Sequence, residues 1–381
     1  MMENYFAPCP RGLETVLCEE LSEIGATNVV ASDGGAGFSG NPEIAWKANL
    51  ESRIASRILW KILDSDYLNE KDIYEKTLGL SWEAFFSPDL TIKVNLAATK
   101  SPLKSLDFAT LRIKDAVCDR LRQKKGRRPS VDTLNPDIRI HAHLTRNRFS
   151  LYIDTSGEAL FKRGLRHFSV EAPLRENLAA GILRLAGWKP EIPFLDPMCG
   201  SGTFLLEAAQ IALGILPGSR RNFAFEKLAG FERGKWLELR QKWIENSKPC
   251  DSPRIFGSDI AGRAVETSRK NLGEAGLEDA VVLKQANFLE LPPPWEAGII
   301  VTNPPYGVRI GEEESLARLY PLIGDTLKQK YSGWNAYFFT ADMKLPKLIR
   351  LSASRRIPLY NGALECRLFE YRMVSGGMRK Q

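Results

Sequence analysis

The chain is poor in the features that would place it outside a reducing interior. It has six cysteines, Cys9, Cys18, Cys118, Cys199, Cys250 and Cys366, and no two of them are three apart. That excludes a CxxC zinc clamp and gives no disulfide framework, so the thiols read as free. No apolar run approaches the ~18 residues of a membrane span. The opening "MMENYFAPCPRG" lacks the basic-then-apolar pattern of a signal peptide. A cytoplasmic protein without a membrane partner is expected. Histidine is scarce, with three in all. His141 and His143 stand two apart in a strand-like run, a spacing that puts both on one face and could suit a metal. No third ligand lies nearby, so two half-exposed strand residues is the preferred reading and no metal is expected. There is no low-complexity segment and no repeat of fixed period.

What is present fits a multidomain enzyme. At 381 residues the chain suggests two or three domains, and 44% apolar content is enough to bury sizeable cores. Basic residues number 53 against 46 acidic ones, a net charge of +7. That fits a nucleic-acid partner, although many unrelated enzymes are as basic.

Hydrophobic periodicity divides the chain into three. Over residues 1–66 the order is β-α-β-β-α-β, a ferredoxin-like pattern. Leu13, Val16, Leu17, Leu21 and Ile24 carry its first helix, a glycine turn at Gly34-Gly35 joins a hairpin, and Asn41 with Pro42 opens the second helix. Residues 67–165 hold helices near "EKDIYEKTLG" and "SWEAFF", the strand "LTIKVNLAA", a long helix "DFATLRIKDAVCDRLRQKKG" and the strands "DIRIHAHLT" and "RFSLYIDTS". Residues 166–381 alternate strand and helix, which predicts an open α/β domain with a parallel sheet and ligands at the C-terminal strand edge.

All the sharp motifs fall at that edge. "FLDPMCGSGTFLLEAA" ends an apolar strand at Asp196, turns through Gly200, Ser201 and Gly202, and starts a helix at once. Glycines there let backbone approach a ligand closely. No Gly-Lys-Ser/Thr pair follows, so a P-loop is excluded. The acid beside the turn suits a ligand with an amino group, and S-adenosylmethionine carries an ammonium and a sulfonium. Asp196, Pro197, Cys199, Gly200, Ser201, Gly202 and Thr203 are the candidate contacts, with Asp196 orienting the amino-acid end. Asp259 in "FGSDI" ends the next strand, where an acid meets ribose hydroxyls in Rossmann-like sites, and Ile260 follows it. The stretch between, about "LPGSRRNFAFEKLAGFERGKWLELRQKW", reads as an insertion over the site. Asn287 in "QANFLEL" stands where an adenine amine would be read, and Phe288 could pack on the ring. Both could equally be loop and core residues.

"GIIVTNPPYG" carries the acceptor chemistry. Prolines lack an N–H and fix φ, so Pro304 and Pro305 make a rigid loop that presents carbonyl acceptors. Asn303 adds a side-chain acceptor, and Tyr306 supplies a flat face for a base. Accepting hydrogen bonds at Asn303 Oδ1 and the Pro304 carbonyl would push an exocyclic amine toward tetrahedral geometry, with its lone pair aimed at the donor methyl. Catalysis of this kind is mostly positioning of a splayed-out base. Asn303 also borders the cofactor. The loop serves a guanine or an adenine amine alike.

These motifs in this order resemble the class I S-adenosylmethionine-dependent methyltransferases of the amino-methylating branch. "FAPCPRGLE", "ANLESRIASRIL", "DTSGEALFKRGLR", "APLRENLAAG", "DPMCGSGTFLLEAA", "FAFEK" and "TNPPYG" together resemble the THUMP-domain methyltransferases that make N2-methylguanine in large-subunit ribosomal RNA. The resemblance spans nearly the whole chain. It implies an α/β fold with a Rossmann-like class I methyltransferase domain preceded by α+β ferredoxin-like and THUMP domains, the latter holding RNA. It implies that Asp196, Gly200, Gly202 and Asp259 line the cofactor and that Asn303, Pro304 and Tyr306 hold the guanine amine. Bacterial relatives can carry a second, C-terminal methyltransferase domain. The chain stops at Gln381 without one, so a single activity is expected. Asn287 also departs from the aspartate common in the wider branch.

Three basic stretches fit an RNA partner: Arg122, Lys124, Lys125, Arg127 and Arg128; Lys162, Arg163 and Arg166; and Arg220 with Arg221. Phosphate contacts of this kind position a substrate without reading its sequence. The leading expectation is guanine-N2 methylation of large-subunit ribosomal RNA. Transfer RNA as substrate, adenine-N6 methylation of DNA and a non-catalytic RNA-binding factor are the alternatives.

Overall fold

The computed structural model describes residues 2–164, 174–305 and 312–374, with the side chains of 312–315 left out. In order they form β1 (Glu3–Pro8), α1 (Glu14–Ile24), β2 (Thr27–Ser32), β3 (Gly35–Gly40), α2 (Pro42–Glu51), β4 (Leu59–Asp66), α3 (Glu70–Leu78), β5 (Ile92–Ala98), α4 (Leu106–Lys125), β6 (Ile138–Leu144) and β7 (Arg148–Asp154). There follow α5 (Glu176–Leu185), β8 (Phe194–Asp196), α6 (Thr203–Ala212), α7 (Arg233–Glu245), β9 (Ile255–Asp259), α8 (Gly262–Ala275), β10 (Val282–Gln285) and β11 (Ile299–Thr302). The chain continues with α9 (Glu312–Lys330), β12 (Asn335–Thr340), α10 (Leu345–Leu348), β13 (Arg355–Asn361) and β14 (Leu364–Arg372).

Local chemistry sets many of the boundaries. Asn41 caps α2 by accepting from Ile44 N at 3.0 Å, with Pro42 in the first turn. Asn69 caps α3, Ser105 caps α4, and Gly126 ends α4 in the left-handed region. "SWEAFF" forms only a single 3₁₀ turn, Trp82–Ala84, because Trp82 plugs the core and donates Nε1 to Thr77 O at 2.7 Å.

The chain folds into two compact units that are discontinuous in sequence. The first comprises Met1–Pro8, Cys18–Leu160 and Arg220–Trp243. Its strands form one seven-stranded sheet in the order β2-β3-β1-β4-β7-β6-β5. β4 joins the two expected N-terminal domains, pairing briefly with β1 and along its length with β7. β6 alternates buried and half-buried residues, which places His141 and His143 on one face. His143 lies 3.3 Å from Thr99 Oγ1, and His141 lies 3.6 Å from the buried Asp154 carboxylate, which also pairs with Arg57. Among the described residues no three ligands converge on a metal position.

Residues Arg220–Trp243, expected as an insertion over the site, pack as part of the first unit. Phe225 N donates to Thr155 O at 2.9 Å, Ala229 N to Phe85 O at 2.8 Å, and Lys227 pairs with Asp137 at 2.6 Å. The cause is aromatic burial: Trp46, Phe223, Phe225, Phe231 and Trp236 pack with ring centroids 5.0–6.1 Å apart.

The second unit comprises Cys9–Leu17, Phe161–Ser219 and Ile244–Gln381. Its sheet runs β10-β9-β8-β11-β12-β14-β13, parallel except for β14. From β8 the chain steps outward to β9 and β10, then returns to β11 on β8's other side. Such a reversal opens a crevice at the carboxyl ends of the two central strands. Beneath it lies a core of Leu195, Ile300, Ala336 and Phe338 against Tyr320, Ile323 and Leu327 of α9. The expected α/β architecture is therefore present. No helix among the described residues is long and apolar enough to cross a membrane.

Candidate active site

β9, β8 and β11 end at one edge of the second sheet, and each delivers a polar group there. β8 ends on Asp196, which is 2% exposed. Its Oδ1 accepts from Thr302 Oγ1 at 2.9 Å and from Met198 N at 3.3 Å. Burial pushes this carboxyl up to about 7 against the pull of those two bonds, and the negative Asp259 nearby adds to the rise.

The turn after Asp196 is stitched to its neighbours. Gly200 N donates to Asp259 Oδ2 at 3.0 Å, and Asp259 Oδ1 accepts from Ala261 N at 2.9 Å. Gly202 caps α6 at φ +81°, where a Cβ would stand 2.9 Å from Ser268 Oγ. Ser268 Oγ donates to Gly200 O at 2.7 Å, and Asn271 Nδ2 donates to Ser201 O at 3.0 Å. Sequence reading passed over Ser268, Asn271 and Thr302. A signal for the first two exists: they share the buried face of α8 with Val265, Leu272 and Ala275. Two buried polar groups on an apolar stripe need partners, and the glycine turn supplies them.

The remaining expected contacts vary. Pro197 O accepts from Ser258 Oγ at 3.4 Å, Cys199 is buried 3.7 Å from Ser268 Oγ, and Thr203 is buried in the first turn of α6. Ile260 leaves an apolar side chain 67% exposed beside Asp259. Asn287 uses its Oδ1 to accept from Leu289 N at 3.1 Å, closing its own turn, with Nδ2 3.3 Å from Glu290. The oxygen expected to meet an adenine amine thus serves the loop. Phe288 is 4% exposed and packs in the core 5.3 Å from the Tyr331 ring, so burial claims the ring expected to lie against a ligand.

β11 runs directly into the proline loop. Asn303 is half-buried, and its Oδ1 is fully buried without a hydrogen-bond partner among the described residues. Pro304 is buried, Pro305 is exposed, and Pro305 O accepts from Tyr320 OH at 3.2 Å. Tyr306 lies outside the described residues. The donor set fits the expected ligands. Asp196 and Asp259 offer negative charge to an ammonium and hydroxyls, and the orphan acceptor on Asn303 calls for an N–H.

The cationic candidates divide. Arg122, Lys124, Lys125, Arg127 and Arg128 are exposed at and beyond the end of α4, with Arg122 paired to Asp119 at 2.9 Å and Arg127 to Asp89 at 2.7 Å. Lys162 and Arg220 are also exposed. Two assignments are corrected. Arg163 is buried, its Nη1 2.6 Å from Glu207 Oε1 of α6, so its charge is used inside the protein. Arg221 donates to the carbonyls of Ala159 and Glu158 and lies over the Phe223 ring, which fastens the inserted segment. Arg166 lies outside the described residues.

The chain matches the RMKL-like methyltransferase domain over residues 163–370, the THUMP domain over 67–154 and the RlmL ferredoxin-like domain over 4–59. A Synechocystis protein provisionally named RNA methyltransferase slr0064 is 37% identical over 370 residues, covering 97% of this chain and 96% of its own. The ribosomal RNA large subunit methyltransferase K/L of Shewanella loihica is 37% identical over 385 residues. That match takes in all of this chain but 54% of the relative, so the chain spans about half the length of the K/L proteins. Among solved structures, SMU.472, a provisionally assigned methyltransferase complexed with SAH, aligns with a TM-score of 0.89 at 32% identity over 99% of both chains. A Listeria monocytogenes protein described as a predicted N6-adenine-specific DNA methylase aligns with a TM-score of 0.87 at 29% identity, covering 97% of this chain and 96% of its own.

Proposed function

The chain belongs to the family whose catalytic part is the RMKL-like methyltransferase domain, and from that premise we propose that it methylates the exocyclic N2 amine of a guanine in large-subunit ribosomal RNA, using S-adenosylmethionine. The observation that carries the chemistry is the Oδ1 of Asn303, just after β11, buried with no hydrogen-bond partner among the described residues. A buried acceptor without a donor costs about 1–3 kcal/mol, a cost that an arriving amine removes.

Bound S-adenosylmethionine supplies an electrophilic methyl group on a sulfonium. Asp196 and the Gly200–Gly202 turn hold its amino-acid end, and Asp259 takes its ribose. Ile260 offers the adenine an apolar surface. Asn303 Oδ1 and the Pro304 carbonyl accept the two amine hydrogens and turn the nitrogen lone pair toward the methyl group. The nitrogen would gain a bond to the methyl carbon as the carbon–sulfur bond breaks, the sulfur keeping that electron pair as a neutral thioether, and the amine would lose one hydrogen as a proton to solvent. Positioning then carries most of the rate. The described part of the loop treats guanine and adenine alike. The THUMP domain favours RNA over the DNA substrate in the Listeria protein's description, and the K/L names favour large-subunit ribosomal RNA, with guanine resting on the resemblance. A ribosomal RNA substrate would put the work in the cytoplasm.

Nucleoside mass spectrometry on a deletion strain, resolved by RNA species, tests the proposal. Loss of N2-methylguanosine from one large-subunit site is expected. An intact ribosomal profile with a missing transfer-RNA mark would overturn the substrate.

A further inference from the structure

The edge that presents Asn303 carries a second feature that the motifs do not include. β12 runs parallel to β11, with Phe338 opposite Thr302, so its last residue, Thr340, leaves the sheet on the same side as the proline loop. Asp342 N then donates to Thr340 Oγ1 at 2.9 Å, and Asp342 sits close enough to Tyr320 to raise its phenol pKa, after burial. Tyr320 is the residue that bonds Pro305 O. The segment after β12 therefore begins beside the loop.

That segment is cationic on one side only. From Met343 to Leu364 there are five basic residues, Lys344, Lys347, Arg350, Arg355 and Arg356, and no acid. All five are exposed. Leu345 and Ile349 are fully buried in the core and anchor α10, while Lys344, Lys347 and Arg350 recur every third residue on the outside. The anchor is rigid: a Cβ on Gly324 of α9 would stand 1.9 Å from Ile349 O, so the two helices meet backbone to backbone. Lys347 and Arg350 make no ion pair with any described residue.

Arg350 also occupies a costly position. It follows the C-cap of α10 at φ +57°, the left-handed site where helices ordinarily place glycine. A side chain with a Cβ is disfavoured there, and strain of this kind gathers at functional sites.

We propose that Lys347 and Arg350 form a short phosphate-binding track on the catalytic unit that holds the RNA strand flanking the methylated nucleotide. The inference rests on an RNA substrate as proposed above. A splayed-out base needs its neighbouring phosphates held, because the strand otherwise restacks. Cations fixed on a packed scaffold that starts beside the amine-gripping loop meet that need without reading sequence.

The test is salt-dependent binding of a labelled mixed-sequence single-stranded RNA to the full chain, with and without Lys347→Ala/Arg350→Ala. Two lost phosphate contacts should make the slope of log affinity against log salt shallower by about 1.4, at about 0.7 per contact. The RNA KM should rise roughly tenfold at low salt, with the cofactor KM and saturated kcat unchanged, for loss of two surface phosphate contacts. Arg350→Gly separates function from folding, because glycine suits the left-handed position: melting temperature should rise while RNA KM also rises. A slope equal to wild type, or an Arg350→Gly protein with wild-type RNA KM, overturns the track. Binding needs no turnover, so these outcomes stand apart from a wild-type enzyme that fails to methylate RNA, which would sink the substrate assignment instead.

Discussion

Thr302 Oγ1 donates to Asp196 Oδ1 over 2.9 Å, tying β11 to β8 at the point where strand order reverses. One hydroxyl thus joins the strand that ends in the turn proposed to hold the methyl donor to the strand that ends in the loop proposed to grip the amine. The bond favours the charged carboxylate, but burial outweighs it and lifts Asp196 to about 7.

A pH signature should result. The folded carboxyl holds its proton more tightly than the unfolded one, whose value is near 4. The ligand-free protein is then most stable, as far as this group goes, below that value, and the contribution is lost as pH rises to about 7. A cationic ligand needs the ionised form. Affinity for S-adenosylmethionine, measured by calorimetry, should rise between about pH 5.5 and 7, approaching tenfold per unit at the acid end. Thr302→Val should move the midpoint to higher pH, and Asp196→Asn should flatten the profile. A slope retained in the Asn variant would assign the titration to another group.

Asn303→Ala should leave cofactor affinity intact and lower kcat by about 10²- to 10³-fold, the usual cost of losing one preorganised polar contact to a transition state. Rapid-quench methyl transfer with equilibrium cofactor binding separates the two effects. Turnover within threefold of wild type would remove Asn303 from the chemistry.

The sequence made the element order and the sheet edge legible because strand–turn–helix motifs are local. "DPMCGSGT" and "TNPPYG" each declare a strand end and a turn within a few residues. Partners far along the chain were not legible. Ser268 and Asn271 stand out as polar groups on the apolar stripe of α8, but the turn they bond is revealed only when α8 lies beside it. Charge was the least reliable guide. Arg163 and Arg221 carry the same sequence signal as Arg122 and Lys124, yet one lies buried on Glu207 and the other bonds two carbonyls. Nor did periodicity reveal that Arg220–Trp243 joins the first unit, since that depends on aromatic rings meeting Trp46.

Arg163→Ala should act on folding. It leaves the Glu207 carboxylate buried without its guanidinium, and breaking such a pair costs about 3–5 kcal/mol. Urea unfolding should show that loss, while the salt slope of RNA binding stays at the wild-type value. Arg163→Met/Glu207→Leu should recover most of the stability, because an apolar pair of similar volume removes the stranded charge. Weaker RNA binding with unchanged stability would restore Arg163 to the RNA surface.

Gly202→Ala tests the cofactor turn directly. The residue sits at φ +81°, and its new Cβ would meet Ser268 Oγ at 2.9 Å. Left-handed backbone costs roughly 1–2 kcal/mol for a residue with a Cβ. Moving Ser268 aside to relieve the clash would break its bond to Gly200 O, so the strain passes into the turn itself. Cofactor affinity should fall by about tenfold or more, from the ~1.4 kcal/mol that separates each decade. Adding Ser268→Ala should not rescue it: the 2.9 Å contact goes, but the Cβ of residue 268 stays 3.2 Å away, the backbone strain remains and the Gly200 carbonyl loses its donor. Wild-type affinity in Gly202→Ala would mean that the turn bears no ligand, and the assignment of Asp196 and Asp259 to the methyl donor would fall with it.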